Sequence, residues 1–324
     1  MLKKSSDAVV QASIKNNAGI LTLNRPKALN SLNLEMVNLM STQLTTWKEN
    51  NPDLKLIIQN SSLPKAFCAG GDVRSITEAG LKGDTEAGRT FFGTEYKLDY
   101  KLATYHVPVV SLISGITMGG GVGITVHGTF RVATEKTMFA MPETGIGLFP
   151  DVGGGYFLPR VPHGPELGTF LALTGFRLKS VDNLHAGVAT HICSTENLNE
   201  LTEALTKCTT KENIEDILLE YQEKSLRETT DLNKRFTLED HLPIIKNCFK
   251  YDSIDEIKQA LVDASDLWAT KQYETLNKMS PTSLAVSLEQ IRRGAKMSLE
   301  EVLNMELGIA SECLNQKDFY FFGG

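Results

Sequence analysis

No stretch of this chain approaches the roughly eighteen consecutive apolar residues that a membrane-spanning helix needs, so a membrane role is not expected. Positive charge is also in short supply. The 33 lysines and arginines against 39 acids leave a formal charge of -6, which gives no electrostatic footprint for nucleic acid. An anionic ligand would have to be held by local donors. Neither G-x-x-x-x-G-K-[ST] nor a complete G-x-G-x-x-G occurs, which removes the common nucleotide loops. The six histidines form no H-E-x-x-H and no other ligand pair, so no metal site is expected. The five cysteines, Cys68, Cys193, Cys208, Cys248 and Cys313, are odd in number and lack C-x-x-C spacing, and they read as reduced thiols of an intracellular protein. The N-terminal MLKKSSDAVV has no apolar core and no arginine before Arg25, so neither a secretory signal nor a strong transit peptide is expected.

What the chain does have is concentrated between Gly115 and Arg160, in GITMGGGVGITVHGTFRVATEKTMFAMPETGIGLFPDVGGGYFLPR. Two glycine triplets, Gly119-Gly120-Gly121 and Gly153-Gly154-Gly155, flank two carboxylates that each follow a proline, Glu143 after Pro142 and Asp151 after Pro150. Proline fixes φ and interrupts helix, so both acids are expected on rigid turns, as acid/base chemistry requires. Glycine lets a main-chain N–H approach a ligand closely, and a helix starting there aims its free donors at developing negative charge. Donors so placed form an oxyanion hole.

Taken in order, Ala8 to Ile14 and Gly19 to Leu23 read as a hairpin turning at Lys15-Asn16-Asn17. A helix of about four turns follows Pro26, with Met36, Val37, Met40, Leu44 and Trp47 at the helical period. Leu54 to Ile58 is a short strand, and Ala66 to Asp72 leads from strand into helix through a second glycine-lined turn. Asp84 to His106 is helical, with Glu95 reading as a solvated charge, and Val107 to Ile113 is a buried strand. Beyond residue 195 the composition becomes that of charged helices: Asn197 to Cys208, Glu212 to Lys224 and Asp255 to Lys271 are candidates, Ser280-Pro281 is a helix start, and Ser298 to Glu301 has capping-box spacing. The expectation is an α/β core over residues 1–195 and a helical region over 196–324 with no catalytic cluster of its own.

Four segments carry a resemblance: NRPKALNSL at 24–32, KAFCAGGDVR at 65–74, MGGGVGITVHG at 118–128 and MPETGIGLFPDVGGGYFLPR at 141–160. Over nearly its whole length the chain resembles the crotonase (enoyl-CoA hydratase/isomerase) superfamily, and more closely its 3-hydroxyisobutyryl-CoA hydrolase branch. The resemblance implies an α/β fold built as a spiral of ββα units, with a helical C-terminal region and an acyl-CoA site in the core. It also implies an oxyanion hole of two backbone N–H groups, which fall by motif match at Gly71 and Gly120. Hydratases of the superfamily pair the glutamate matching Glu143 with a second one where this chain has Gly123, which weighs against water addition to an enoyl group. The hydrolase branch instead pairs it with an aspartate matching Asp151 and places a substrate-contacting glutamate at the position of Glu95.

The implied reaction is hydrolysis of a short, branched β-hydroxyacyl-CoA in valine breakdown. Glu143 either attacks the thioester carbonyl or activates water, Asp151 serves the substrate hydroxyl and proton transfer, and substrate contacts come from Glu95, Gly120, Glu143 and Asp151. No cofactor is implied, since coenzyme A arrives as part of the substrate. The pathway implies mitochondria, with cytoplasm and peroxisome as alternatives, and superfamily members often form trimers, so a homo-oligomer is an expectation. The rivals are an enoyl-CoA isomerase or hydratase and a non-enzymatic protein associated with mitochondrial ribosomes. Family members continue past a motif like Asp318-Phe319 where this sequence reads DFYFFGG, which implies an effect on turnover more than on fold.

Overall fold

The computed structural model describes residues 8–323. The segment MLKKSSD, read above for a targeting signal, and Gly324 lie outside them. Among the described residues ten strands are formed: β1 Val10–Lys15, β2 Ala18–Leu23, β3 Leu56–Ser61, β4 Ala66–Cys68, β5 Val109–Ile113, β6 Ile116–Met118, β7 Phe130–Ala133, β8 Met138–Ala140, β9 Leu178–Lys179 and β10 His191–Ile192. They make a six-stranded sheet in the order β1-β2-β3-β5-β7-β10 and a four-stranded sheet in the order β4-β6-β8-β9. Successive pairs β3/β4, β5/β6 and β7/β8 each give one strand to each sheet, and each pair is followed by helix. That is the expected ββα repeat, visible in strand order.

The chain divides into two compact units, each discontinuous in sequence. The first comprises residues 1–71, 97–139 and 178–236, and the second residues 72–96, 140–177 and 237–324. The composition change at 195/196 therefore marks where the chain turns helical, while residues 198 to 236 pack with the first unit.

In the first unit β1 and β2 pair antiparallel through a turn at Asn16, whose φ of 48° suits asparagine. The helix Leu34–Asn50 buries Met36, Val37, Met40, Leu44 and Trp47, the stripe its period predicts. Gly19 is fixed by this packing, because a Cβ there would lie 2.9 Å from the Trp47 ring. On one sheet face, alternating residues Leu56 and Ile58, Val110 and Leu112, Phe130 and Val132 meet Leu201 and Leu205 of the helix Leu198–Thr206 and Ile214 and Leu218 of the helix Lys211–Glu228. Their neighbours Ile57, Val109 and Ile113 are buried as well, so residues 56–58 of β3 and the whole of β5 read as nearly continuous apolar runs, as parallel strands covered on both faces do.

The second unit is mainly helical. The stretch from Asp255 to Lys271 differs from expectation: it is two helices, Ile254–Asp263 and Leu267–Leu276. Ser265 between them takes a φ of 50°, and Asp266 caps the second helix by accepting from the N–H groups of Trp268 and Ala269. The Ser280 cap and the Ser298/Glu301 capping box form as expected. Among the described residues no helix is long and apolar enough to cross a membrane.

Candidate active site

The two glycine turns of the first unit are placed by neighbouring strands. β4 and β6 run parallel, with Ala66 opposite Ile116 and Cys68 opposite Thr117, so their carboxyl ends deliver Gly70-Gly71 and Gly119-Gly120 side by side. Gly119 has a φ of 44° and starts the helix Gly120–Val126, whose first N–H groups have no partner within the helix. Gly121 must lack a side chain, since a Cβ there would sit 2.5 Å from the Cys68 carbonyl oxygen. Gly71 and Gly120 thus lie just beyond the exits of adjacent strands.

The three acids singled out in the sequence, Glu95, Glu143 and Asp151, lie in the second unit and come together there. Glu143 opens the 3-10 turn Glu143–Ile146 directly after Pro142. The turn is fastened on several sides: Leu148 N–H donates to Glu143 O at 3.0 Å, Thr144 Oγ1 donates to Leu173 O at 3.1 Å, and Ser280 N–H donates to Thr144 O at 3.0 Å. Ser280 Oγ in turn donates to Asp318 Oδ2 at 2.6 Å. Gly147, which ends the turn with a φ of 73°, lies so close to the last helix that a Cβ would be 2.4 Å from Asp318 O. Proline before the acid and glycine four residues after it are the local requirements of this tight packing.

Asp151 sits on a more strained turn. Val152 has a φ of 51°, uncommon for a β-branched residue and costing on the order of 1–3 kcal/mol, and Gly153 follows with a φ of 83°. Asp151 Oδ2 accepts from the Tyr96 hydroxyl at 2.8 Å. Tyr96 and Glu95 come from the helix Thr85–Ala103, and both are buried, at 3% and 1% exposure. The reading of Glu95 as a solvated charge is therefore corrected: Glu95 lies on the helix stripe of Phe91, Phe92 and Tyr96, which faces the core.

Two residues that sequence reasoning missed complete the cluster. Glu306, on the helix Leu299–Cys313, is fully buried, and it accepts from Gly153 N–H at 2.7 Å through Oε2 and from Gly155 N–H at 2.9 Å through Oε1. Gln290, on the helix Pro281–Gly294, donates to Glu306 Oε1 at 2.7 Å and to Pro150 O at 2.6 Å. The helical region thus contributes two side chains to the cluster without having a cluster of its own. The donors of Gly153 and Gly155 are taken by a carboxyl of the protein itself.

Electrostatically the cluster is one-signed. Burial, then the neighbouring charges of Asp151, Glu95 and Glu306, hold the Glu143 carboxyl well above the usual range, against a hydrogen bond from its own backbone. Burial and Asp151 do the same to Glu95. Asp151 is pushed up by burial to only about 6, because the Tyr96 hydroxyl and its own backbone N–H favour its ionised form. Burial pushes Glu306 up to about 8, against its donors Gly155, Gly153 and Gln290. Among the described residues, Glu143 Oε2 and Glu95 Oε1 are buried and without a hydrogen-bond partner. Acids pushed to different pKa values at one site are what proton transfer near neutral pH needs. Replacing Tyr96 by Phe removes one donor that favours ionised Asp151, so the Asp151 titration is expected to move to higher pH. A carboxyl NMR titration of wild type and Tyr96→Phe checks this, and an unchanged titration would assign the low value to the backbone alone.

Comparison with known proteins follows the same lines. Residues 18–321 match the family model described as enoyl-CoA hydratase/isomerase. A protein of Gallus gallus named 3-hydroxyisobutyryl-CoA hydrolase, mitochondrial, is 50% identical over 318 residues, 98% of this chain and 80% of its own length. Its namesake from Xenopus tropicalis is 50% identical over 305 residues, 94% of this chain and 77% of its own. Among solved structures, a carnitinyl-CoA dehydratase from Mycobacterium thermoresistibile superposes with a TM-score of 0.88 at 34% identity, over 98% of this chain and 88% of that one.

Proposed function

The chain belongs to the enoyl-CoA hydratase/isomerase family, and from that footing we propose that it hydrolyses 3-hydroxyisobutyryl-CoA, or a similarly short β-hydroxyacyl-CoA, to the free acid and coenzyme A. The observation that carries this reading is the second buried acid: Asp151 stands in the same cluster as Glu143, and the Tyr96 hydroxyl, donating to it at 2.8 Å, favours its ionised form. The hydratases that the chain resembles carry a second glutamate at the position of Gly123, and its absence here speaks against water addition to an enoyl group.

In the proposed reaction, the N–H groups of Gly71 and Gly120 receive the thioester oxygen as it becomes negative, an interaction typically worth about 10²–10³ in rate per donor. Burial makes the Glu143 carboxylate a stronger base than a solvated glutamate. It either attacks the carbonyl carbon, giving a mixed anhydride that water then cleaves, or takes a proton from the attacking water. Both routes consume one water, break the carbon–sulfur bond and release the thiolate, which leaves protonated as coenzyme A. Asp151, ionised and held by Tyr96, accepts from the substrate's 3-hydroxyl and orients the water. Glu95 has a free buried oxygen for the same polar end of the substrate. No group beyond the substrate's own coenzyme A is needed, and the mitochondrial setting in the relatives' names goes with the proposal.

The test is thiol release from 3-hydroxyisobutyryl-CoA, measured beside crotonyl-CoA hydration and enoyl-CoA isomerisation on one preparation. Thiol release should dominate. Hydration or isomerisation as the main activity would overturn the assignment.

A further inference from the structure

The second glycine triplet invites reading as a ligand cradle, yet its donors are already engaged. Each oxygen of the Glu306 carboxyl accepts one main-chain N–H, Oε2 from Gly153 at 2.7 Å and Oε1 from Gly155 at 2.9 Å. The Gln290 amide spans from Glu306 Oε1, at 2.7 Å, to Pro150 O, at 2.6 Å. Two side chains from two helices therefore grip the turn at residues 150, 153 and 155, on either side of Asp151. The packing around the grip leaves no slack. A Cβ on Gly155 would lie 3.2 Å from Glu306 Oε1 and 3.3 Å from Gln290 Nε2, and a Cβ on Gly294 would lie 2.1 Å from Gly155 O. The triplet's glycines admit this close approach of side chains and helix.

From this geometry we infer that Glu306 and Gln290 are positioning residues, which clamp the Pro150–Gly155 turn so that Asp151 keeps its orientation toward the substrate. The inference rests on the hydrolase reading for its consequence, but the clamp itself stands on the hydrogen bonds. The residue types follow from the donors: two N–H groups need two acceptor oxygens, which a carboxyl has and an amide lacks. The amide at 290 can donate twice from one nitrogen, to a carboxyl and to a carbonyl. The clamp also holds Val152 in its left-handed conformation, which an unsupported chain would leave.

In Glu306→Gln an NH₂ faces one of the two backbone donors, so one end of the clamp opens. The expected kinetic result is a kcat lower by about 10²-fold, the scale of a misplaced catalytic group, with KM for 3-hydroxyisobutyryl-CoA within about twofold of wild type. Hydrogen exchange of the peptide spanning residues 150–157 should speed up in the same variant. Gln290→Met, which keeps the volume and removes the bridge to Pro150, should shift both readouts the same way by less, and it serves where Glu306→Gln does not fold. Unchanged exchange in the folded variants would refute the clamp. Faster exchange with kcat intact would refute its positioning role. Absence of thiol release from wild type would sink the hydrolase reading alone, and the exchange data would still decide the clamp.

Discussion

Glu143→Gln is expected to lower thiol release from 3-hydroxyisobutyryl-CoA by about 10²–10⁴-fold, the usual worth of a general base or more, while the variant binds the thioester as wild type does. The glutamine keeps the shape of the side chain and one acceptor oxygen, so the 3-10 turn, held by main-chain bonds and by Ser280, stays in place. What is lost is the carboxylate whose basicity burial has raised. Asp151→Asn should reduce hydrolysis on a similar scale for a different reason. Its amide oxygen can still accept from Tyr96 but carries no charge toward the substrate hydroxyl and the water. The pair of variants separates the readings. An enoyl-CoA isomerase works with the acid at 143 alone, so an isomerase would lose activity in the first variant and keep it in the second. Steady-state kinetics on both substrates distinguishes the two, and retention of thiol release in Asp151→Asn would refute the two-acid mechanism.

Much of the fold is legible in sequence because it is local. A hairpin turning at Asn16, an apolar stripe from Met36 to Trp47, and caps at Ser280 and Ser298 each depend on neighbours within a few residues. The acids' partners are not local: Glu306 meets Gly153 across 153 residues of chain, and Tyr96 meets Asp151 across 55. No periodicity reports such a contact. A weaker signal was nevertheless present. Glu306 follows Val302 by four residues and Leu303 by three, and Glu95 follows Phe91 by four and Phe92 by three, so both acids fall on apolar stripes rather than on the charged faces beside them. A carboxyl on a core-facing stripe has to be partnered or to work, because burying it alone is costly. Composition averages the stripe with its surroundings, so a region of charged helices does not reveal that one of its acids is buried. The break within Asp255 to Lys271 is hidden for the opposite reason: Asp266 reads as one more helical charge, and its role as the cap that starts the second helix shows only in the structure.

Asp151→Asn should also make the protein more stable, and only above the acid range. The ordinary Asp151 value is 3.8, and the fold raises it to about 6. Between those values the folded state holds more protons than the unfolded one, so stability falls as pH rises through the window and stays lowered above it. At 1.36 kcal/mol per unit, that shift amounts to about 3 kcal/mol at pH 8, which the neutral asparagine escapes. Glu306, raised to about 8, and Glu95 and Glu143, also raised, act in the same direction, and removing the Asp151 charge relieves the part of their shifts that it causes. Urea midpoints of wild type and Asp151→Asn across pH 4 to 8 should start together and diverge, with the variant ahead at the alkaline end. Titrations far from the cluster cancel between two chains that differ at one site, while those of Glu95, Glu143 and Glu306 respond to the loss of the Asp151 charge and add to the divergence. A variant less stable than wild type at pH 8 would mean that Asp151 is kept for what it holds together. The expected order means that the fold tolerates a cluster of mutually repelling acids in its interior, a cost that selection for stability would remove and that chemistry at this site explains.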